Sequence, residues 1–291
     1  MRIKSFDSDG AILYLVATPI GNLSDFSLRA IDVLKNVDKI YAEDTRNSTV
    51  LLKHYTINTK LESYHEYNQD VKEDKIIEEL KSGMKIAIIS DAGLPVISDP
   101  GYKISARAIK ENIRVSTIPG ASAGISALIS SGLAPMPYTF YGFLDSKKTK
   151  REQQLLELKY VNHTMIFYEA PHRINDTLKS ILEVLGDRYC VIARELTKIN
   201  EEYIRDNASN LIDLDSIKGE IVLLVEGYKE EKSETDPFAK VDELVELGYK
   251  PLDAIKEVSK ALNLDRKELY KNYIEYKRKW VLWTFYLILN I

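Results

Sequence analysis

The sequence holds one cysteine, Cys190, and a single thiol cannot close an internal disulfide, so a disulfide-stapled fold is excluded and a reducing cytoplasm is the expected setting. Cys190 stands in the apolar run 189–193, where a small buried side chain is its expected role. Histidine is scarce too: His54, His65, His163 and His172 are scattered, no Cys/His spacing fits a metal site, and no metal is expected. The first ten residues, MRIKSFDSDG, lack the apolar core of an export signal. No apolar run reaches the roughly 18–20 residues of a membrane-spanning helix. The longest, 280–291, follows Lys277, Arg278 and Lys279 and is expected to pack or to dimerise, with a membrane-surface anchor as the alternative. Neither sign of charge dominates, since 40 basic side chains stand against 44 acidic ones for a net charge of −4. A general polyanion-coating role is thereby disfavoured, and any nucleic-acid contact must use local patches.

What is present reads as a soluble enzyme-sized chain. The 291 residues are 45% hydrophobic and 29% charged, enough for a large buried core. Short β-rich runs at 12–17, 39–42, 85–90, 114–118, 138–143, 164–168, 190–194 and 220–225 alternate with helical patterns at 28–37, 71–81, 103–111, 123–131, 152–160 and 175–185. This alternation predicts an α/β fold of two lobes with mostly parallel sheets. The breaker-rich stretch SSGLAPMP at 130–137 places a boundary, giving an N-terminal lobe over 1–134 and a second lobe over 135–229. After the charged segment KEEKSETDP at 229–237 the pattern turns wholly helical, with helices expected at 238–247, 252–262 and 266–279. The last two form a helix-turn-helix-like pair within a C-terminal helical domain over 237–279, and 280–291 is an apolar tail without an assigned role. Helix 266–279 carries six basic and two acidic residues, read either as a solvated face of a helical cap or as a face for nucleic acid.

In open α/β sheets ligands bind beyond the carboxyl ends of strands, so the loops that follow strand candidates are where chemistry is expected. Three stand out. TPIGN at 18–22 follows the first strand and permits a tight turn, although the G-x-G-x-x-G of dinucleotide sites is absent. SDAGLPVISDPG at 90–101 is far longer than a strand-to-helix connection needs; Asp91 could accept hydrogen bonds from ribose hydroxyls or an ammonium, and Asp99-Pro100-Gly101 reads as the start of the next helix. PGASA at 119–123 offers small residues and free amides at a helix start. Each also admits a purely structural reading as a turn or a close-packed helix start.

The segments LYLVATPIGNLSDFSLRA at 13–30, YAEDTRNSTVLL at 41–52, YHEYN at 64–68, ISDAGLPVISDPG at 89–101, PGASA at 119–123, FYEAPHR at 167–173, ARELTK at 193–198 and KGEIVLLVEG at 218–227 together resemble the tetrapyrrole-type, class III S-adenosylmethionine-dependent methyltransferases. The resemblance spans about residues 11–279 and points to the branch that acts on small-subunit ribosomal RNA; the apolar tail departs from it. It implies 2′-O-methylation of a cytidine ribose in the decoding region, a cytoplasmic homodimer and a cofactor held between the two lobes. The matching cofactor positions are Pro19, Ile20, Asp91, Ala92, Gly93, Val96, Ser122, Ala123 and Tyr168. A sulfonium is a soft cation, which small loops, an aromatic ring and a carboxylate can hold without a metal.

On the substrate side, a ribose hydroxyl is a poor nucleophile and needs alignment and help in losing its proton. Glu43, Asp44, His65 and Glu66 are the available bases, and Asp44 with Arg46 is the favoured catalytic pair. Arg46, Arg173 and Arg194 are suited to phosphates, and Asn68 to a ribose or base edge. The basic stretch Lys147, Lys148, Lys150 and Arg151, together with Arg266 and Lys267 on the last helix, is the expected RNA-contacting charge, against a solvated helix start as the plainer reading. Two rivals remain open: methylation of a small molecule such as a precorrin on the same fold, and a non-catalytic regulator that senses a nucleotide and binds nucleic acid.

Overall fold

The computed structural model describes residues 4, 10–65, 68–213, 217–229 and 236–289, with backbone alone for 69 and 279–289. The chain divides into two compact units, residues 1–228 and 229–291.

The first unit opens with β1 (Ile12–Val16), α1 (Leu28–Asn36), β2 (Lys39–Ala42), α2 (Thr45–His54), β3 (Leu61–Ser63), α3 (Gln69–Lys81), β4 (Lys85–Ile89), α4 (Tyr102–Lys110) and β5 (Arg114–Ile118). Their strands form a wholly parallel sheet in the order β3-β2-β4-β1-β5, with Val16 level with Ile89 on one side and Ile118 on the other. Both faces are covered, which is why β1 and β4 are near-continuous aliphatic runs. Val16, Ala42, Ala87 and Ile89 meet Ala30 and Leu34 of α1 and Leu52 of α2 on one face. Leu13, Tyr41, Ile86 and Ile88 meet Ile76, Ile77 and Leu80 of α3 and Ile104 of α4 on the other. The chain runs from β1 toward β3 and then from β3 back toward β5, so crossover direction reverses around β4. A crevice therefore opens beyond the carboxyl ends of β2, β4 and β1.

Then come α5 (Ala123–Ser131), β6 (Tyr138–Phe143), α6 (Lys148–Glu157), β7 (Thr164–Glu169), α7 (Ile174–Leu185), β8 (Tyr189–Arg194), β9 (Glu202–Asn207), α8 (Ala208–Leu211) and β10 (Ile221–Val225). The second sheet has the order β6-β7-β10-β8-β9, and here the expectation of mostly parallel pairing needs correction: only β6 and β7 run parallel. β10 inserts antiparallel between β7 and β8, and β9 pairs antiparallel with β8. The seven residues 195–201 between β8 and β9 are too few for a parallel crossover, so only an antiparallel neighbour is reachable. Leu155, Leu178, Ile181 and Leu223 fill one face of this sheet, with Cys190 buried among them and its thiol pushed up to about 12 by that burial. The opposite face takes Ala127 and Leu128 of α5 together with Ile20 from the loop after β1. A Cβ on Gly124 would sit 3.3 Å from the Phe140 ring and 3.5 Å from Ile166, so the small residues of α5 are what allow it to lie close on the second sheet. Helix α5 and Ile20 thus tie the carboxyl end of the first sheet to the second.

The second unit is helical: α9 (Pro237–Glu246), α10 (Pro251–Ala261) and α11 (Arg266–Leu289). Proline opens α9 and α10 at the position where its missing N–H costs nothing. Val241, Ala254, Ile255, Val258, Leu269 and Tyr273 form its core. Asp242 accepts a hydrogen bond from the Tyr273 hydroxyl and pairs with Lys277 at 2.7 Å. The backbone of α11 runs on through residues 280–289, beyond the expected end at 279. Among the described residues no helix is long and apolar enough to cross a membrane.

Candidate active site

A cavity of about 440 Å3 opens where the carboxyl ends of both sheets converge. Its floor comes from three loops of the first sheet: Ile20 after β1, Ala92, Gly93, Leu94, Ile97, Ser98 and Asp99 after β4, and Ser122 and Ala123 after β5. Its other wall is Phe143, Tyr168, Glu169, Ala170 and Pro171 at the ends of β6 and β7, Leu196 after β8, and 219–222 leading into β10. Six of the nine cofactor positions expected from the sequence therefore meet in one cavity.

Hydrogen bonds fix these loops to each other. The Thr18 amide donates to the Gly93 carbonyl at 2.8 Å and the Gly93 amide returns a bond to the Thr18 carbonyl at 3.1 Å, a bridge between the β1 and β4 loops. The buried Ser90 and Thr18 hydroxyls donate to the Gly93 and Ser90 carbonyls at 3.0 and 3.1 Å. Gly93 adopts φ +77°, and Val96 and Ser98 hold φ +79° and +65° without being glycine. For a β-branched residue such as Val96 this conformation costs on the order of 1–3 kcal/mol, strain that the packing of the loop retains next to the cavity.

The remaining three expected cofactor positions lie just outside the lining. Pro19 precedes Ile20 in the bridged loop. Val96 packs against Gly101, where a Cβ would come within 2.9 Å of its Cγ2. Asp91 turns to the neighbouring loop, accepting the Asp44 amide at 3.2 Å and the Asn47 side-chain amide at 3.0 Å.

Asp99, expected only as a helix start, lines the cavity instead, while α4 begins at Tyr102 with Gly101 before it. Burial pushes the Asp99 carboxyl up to about 7, and the charges of Glu43 and Asp91 and a hydrogen bond with Glu43 add to the rise. Val96, Ser98 and Gly101 beside it all hold positive φ, which nothing in the bare sequence marks at Val96 and Ser98. Glu169, also unexpected, is buried; it accepts from the Thr177 hydroxyl at 2.5 Å and the Ala170 amide at 2.8 Å, and pairs with Arg173 at 3.3 Å. Because the folded pKa of Asp99 exceeds the ordinary carboxyl value, its proton-bound form is the one folding favours. That contribution is whole below about pH 4 and is lost as pH rises through about 7. Asp99→Asn is therefore expected to raise stability at about pH 8 by roughly 1–2 kcal/mol, after solvent screening is allowed for, and to leave it little changed at about pH 4. Calorimetric melting at the two pH values checks the sign.

The substrate-side residues gather at the same edge. Asp44 caps α2, accepting the Arg46 amide at 2.8 Å, and its carboxylate pairs with the Arg46 guanidinium at 2.7 Å, which holds it down at about 2. A carboxylate so stabilised is a weak proton acceptor, so Asp44 fits the positioning of Arg46 better than the role of base. The Arg46 side chain is 90% exposed beside it. The Tyr64 amide donates to the Ala42 carbonyl, which places the loop after β3 against the loop of Glu43 and Asp44. There the His65 amide donates to Asn68 Oδ1 at 2.9 Å, and the Asn68 amide nitrogen lies 3.0 Å from His65 Nε2. Glu66 lies outside the described residues.

The basic stretch is divided by the fold. Lys147 and Lys148 are exposed at the start of α6, with Lys148 paired to Glu183 at 2.9 Å. Arg151 corrects the expectation of an RNA-facing charge: it is 4% exposed and donates to the Ser180 hydroxyl at 3.0 Å and the Ser146 carbonyl at 3.2 Å. It lies four residues before the buried Leu155 on α6, the inward face, so the helix period turns it toward α7. Arg151→Ala is expected to cost about 3 kcal/mol through orphaned polar groups and lost packing, a fall of roughly 6–12 °C in melting temperature. RNA affinity per folded molecule should not change, which a binding titration corrected for folded fraction reads out. Arg173 is likewise spent inside, donating to the Leu144 carbonyl at 2.7 Å, and Arg194 pairs with Glu202 at 2.7 Å. Arg266 and Lys267 are exposed at the start of α11 in the helical unit.

Residues 12–212 match the family described as Tetrapyrrole (Corrin/Porphyrin) Methylases. The chain belongs to the tetrapyrrole methylase family. It is 45% identical over 275 residues to the "Ribosomal RNA small subunit methyltransferase I" of Halalkalibacterium halodurans, covering 91% of this chain and 95% of that protein. To the Bacillus subtilis protein of the same name it is 46% identical over 285 residues, covering 94% and 98%. Solved tetrapyrrole methylase-like folds include a diphthine synthase, with TM-score 0.59 and 14% identity over 74% of this chain and 89% of that one. Another is the uroporphyrin-III-C-methyltransferase of Thermus thermophilus, with TM-score 0.54 and 15% identity over 74% and 94%. At these identities they speak for the fold alone.

Tetrapyrrole methylases use S-adenosylmethionine, and the cavity suits it. Its volume falls in the range of sites for ligands of that size. None of the described residues that line it is Lys or Arg, while Glu169 and Glu220 are acidic, a charge balance that favours a cationic sulfonium over a nucleotide phosphate. The Tyr168 ring, packed at 5.0 Å from Phe140 and 5.5 Å from Phe143, supplies an aromatic surface of the kind that attracts cations.

Proposed function

We propose that this chain methylates the 2′-hydroxyl of a cytidine in the decoding region of small-subunit ribosomal RNA, in the cytoplasm, with the small ribosomal subunit and a second copy of the chain as partners. The observation that carries the reading is near full-length similarity, above 40% identity, to proteins named for methyl transfer to that RNA. The cavity agrees with it.

Ile20, Ala92, Gly93, Ser122, Ala123 and Tyr168 would hold S-adenosylmethionine, with Pro19, Asp91 and Val96 shaping the loops around them. When bound, this cofactor supplies an electrophilic methyl group. The chain's own work is to exclude water from the cavity, hold the ribose hydroxyl in line with that methyl and accept its proton. Arg46, exposed at the edge formed by the loops after β2 and β3, is placed to hold a phosphate, with Asp44 fixing its fork. His65 and Asn68 brace each other on the adjacent loop and present a side-chain edge toward a nucleotide.

Alkaline hydrolysis tests the reading directly. A 2′-O-methyl group blocks attack of that hydroxyl on the neighbouring phosphodiester, so small subunits incubated with protein and methyl-labelled cofactor should release their label in an alkali-resistant dinucleotide. Label in mononucleotides, or only in a low-molecular-weight acceptor, refutes it. The exposed lysines at α6 add a second expectation. Lys147→Gln with Lys148→Gln should weaken RNA binding and lower the slope of log affinity against log salt by up to about two, since each phosphate contact contributes close to one. An unchanged slope in a salt titration assigns both lysines to the solvated surface.

A further inference from the structure

Of the carboxylates around the cavity, most are already committed. Glu169 is held by Thr177, Arg173 and the Ala170 amide at the start of α7. Glu220 pairs with Lys198 at 3.2 Å, Asp91 takes the Asp44 and Asn47 amides, and Asp44 is bound to Arg46. Asp99 differs. It lines the cavity, and among the described residues no lysine or arginine pairs with it. The groups that face it are Glu43 after β2, Ser90 and Asp91 after β4, and the Tyr168 ring of β7 across the cavity. It hydrogen-bonds with a second carboxyl group, Glu43, and with the Ser90 side chain, the latter partly offsetting the rise. Two carboxyl groups in such contact oppose each other's ionisation, because ionising both places like charges side by side.

We propose that Asp99 takes the proton of the substrate's ribose hydroxyl, with Glu43 as the positioning residue that keeps its carboxylate basic. The inference rests on the ribose-methylation reading above. In this step the hydroxyl oxygen forms the new C–O bond to the methyl carbon while the S–CH3 bond breaks and leaves its electron pair on sulfur. The O–H bond breaks at the same time, and its proton passes to an Asp99 oxygen and from there to solvent. Burial and the acidic neighbours that raise the Asp99 carboxyl to about 7 support the assignment, since a base works best with a pKa near the working pH. Of the other described candidates at this edge, Asp44 is held at about 2, and His65 lies outside the lining, as does Asp91.

The test is single-turnover methyl transfer to small ribosomal subunits across about pH 5.5 to 9, with cofactor affinity measured separately by calorimetry. The wild-type rate should rise with pH and bend near 7. Asp99→Asn should lose roughly 10²-fold or more in the transfer rate and lose the bend, while cofactor affinity stays within about threefold. Glu43→Gln removes the neighbouring charge and should move the bend to lower pH, an effect that a merely structural role would not produce. An Asp99→Asn rate equal to wild type with the bend intact overturns the inference while leaving ribose methylation standing. A loss of cofactor affinity as large as the loss of rate also overturns it, because Asp99 would then hold the cofactor. A wild-type protein that places no methyl on ribose overturns both.

Discussion

Gly93→Leu is expected to reduce S-adenosylmethionine affinity at least about 100-fold, a loss of roughly 2.7 kcal/mol of binding free energy, while the protein still folds. Three features at this position lead to that number. The backbone sits at φ +77°, where a side chain is strained by about 1–2 kcal/mol. A Cβ would lie 3.3 Å from Ile20 Cγ2 and 3.4 Å from the Ala121 carbonyl oxygen, so even alanine presses the β1 and β5 loops apart. The rest of a leucine side chain has only the cavity to enter, and the site is lost to volume. Gly93→Ala separates the contributions: it carries the strain without the bulk and should lower the melting temperature while weakening binding much less. Titration calorimetry of both variants checks the prediction, and unchanged affinity in Gly93→Leu would remove this cavity as the cofactor site.

The second large effect is expected at Arg46. Its side chain is almost wholly exposed, so Arg46→Ala should leave folding and cofactor affinity unchanged while lowering kcat/KM for the RNA substrate roughly 100-fold. The loss should fall mainly in KM if the guanidinium holds a phosphate, and mainly in kcat if it orients the reacting nucleotide. Asp44→Asn preserves the α2 cap, because asparagine caps as well as aspartate, and loses only the charge that fixes Arg46. Its effect should accordingly be the smaller of the two. If Asp44→Asn alone abolishes transfer, the carboxylate acts directly on the substrate rather than through Arg46.

Much of this architecture is legible because burial on both faces writes itself into composition. β1, β4 and β10 are apolar runs, and the connections after β1, β4 and β5 are rich in small residues, so the cofactor loops at 18–22, 90–101 and 119–123 stand out from the chain. The edge strands β3 and β9 carry no such signature. β3 is three half-buried residues and β9, with sequence EYIRDN, is mostly exposed, so neither has an apolar run to be read. The antiparallel insertion of β10 is a matter of partner choice, to which strand composition is silent. Asp99 and Arg151 escape for opposite reasons. Asp99 lies in a motif whose Asp-Pro-Gly order reads as a helix start, whereas in the fold it lines the cavity in a loop where Val96 and Ser98 hold positive φ, a conformation their residue types do not announce. Arg151 stands in a run of lysines that reads as solvated, and only the packing of α6 on α7 buries it against Ser180.

Ribose methylation by this chain is read out by mass mapping of the decoding region of small-subunit ribosomal RNA before and after incubation with the protein and isotope-labelled S-adenosylmethionine. One added methyl group is expected, on the ribose of a single cytidine, absent when Gly93→Leu replaces the wild type. A methyl group on a base, or none on the RNA alongside labelled small-molecule product, would contradict it.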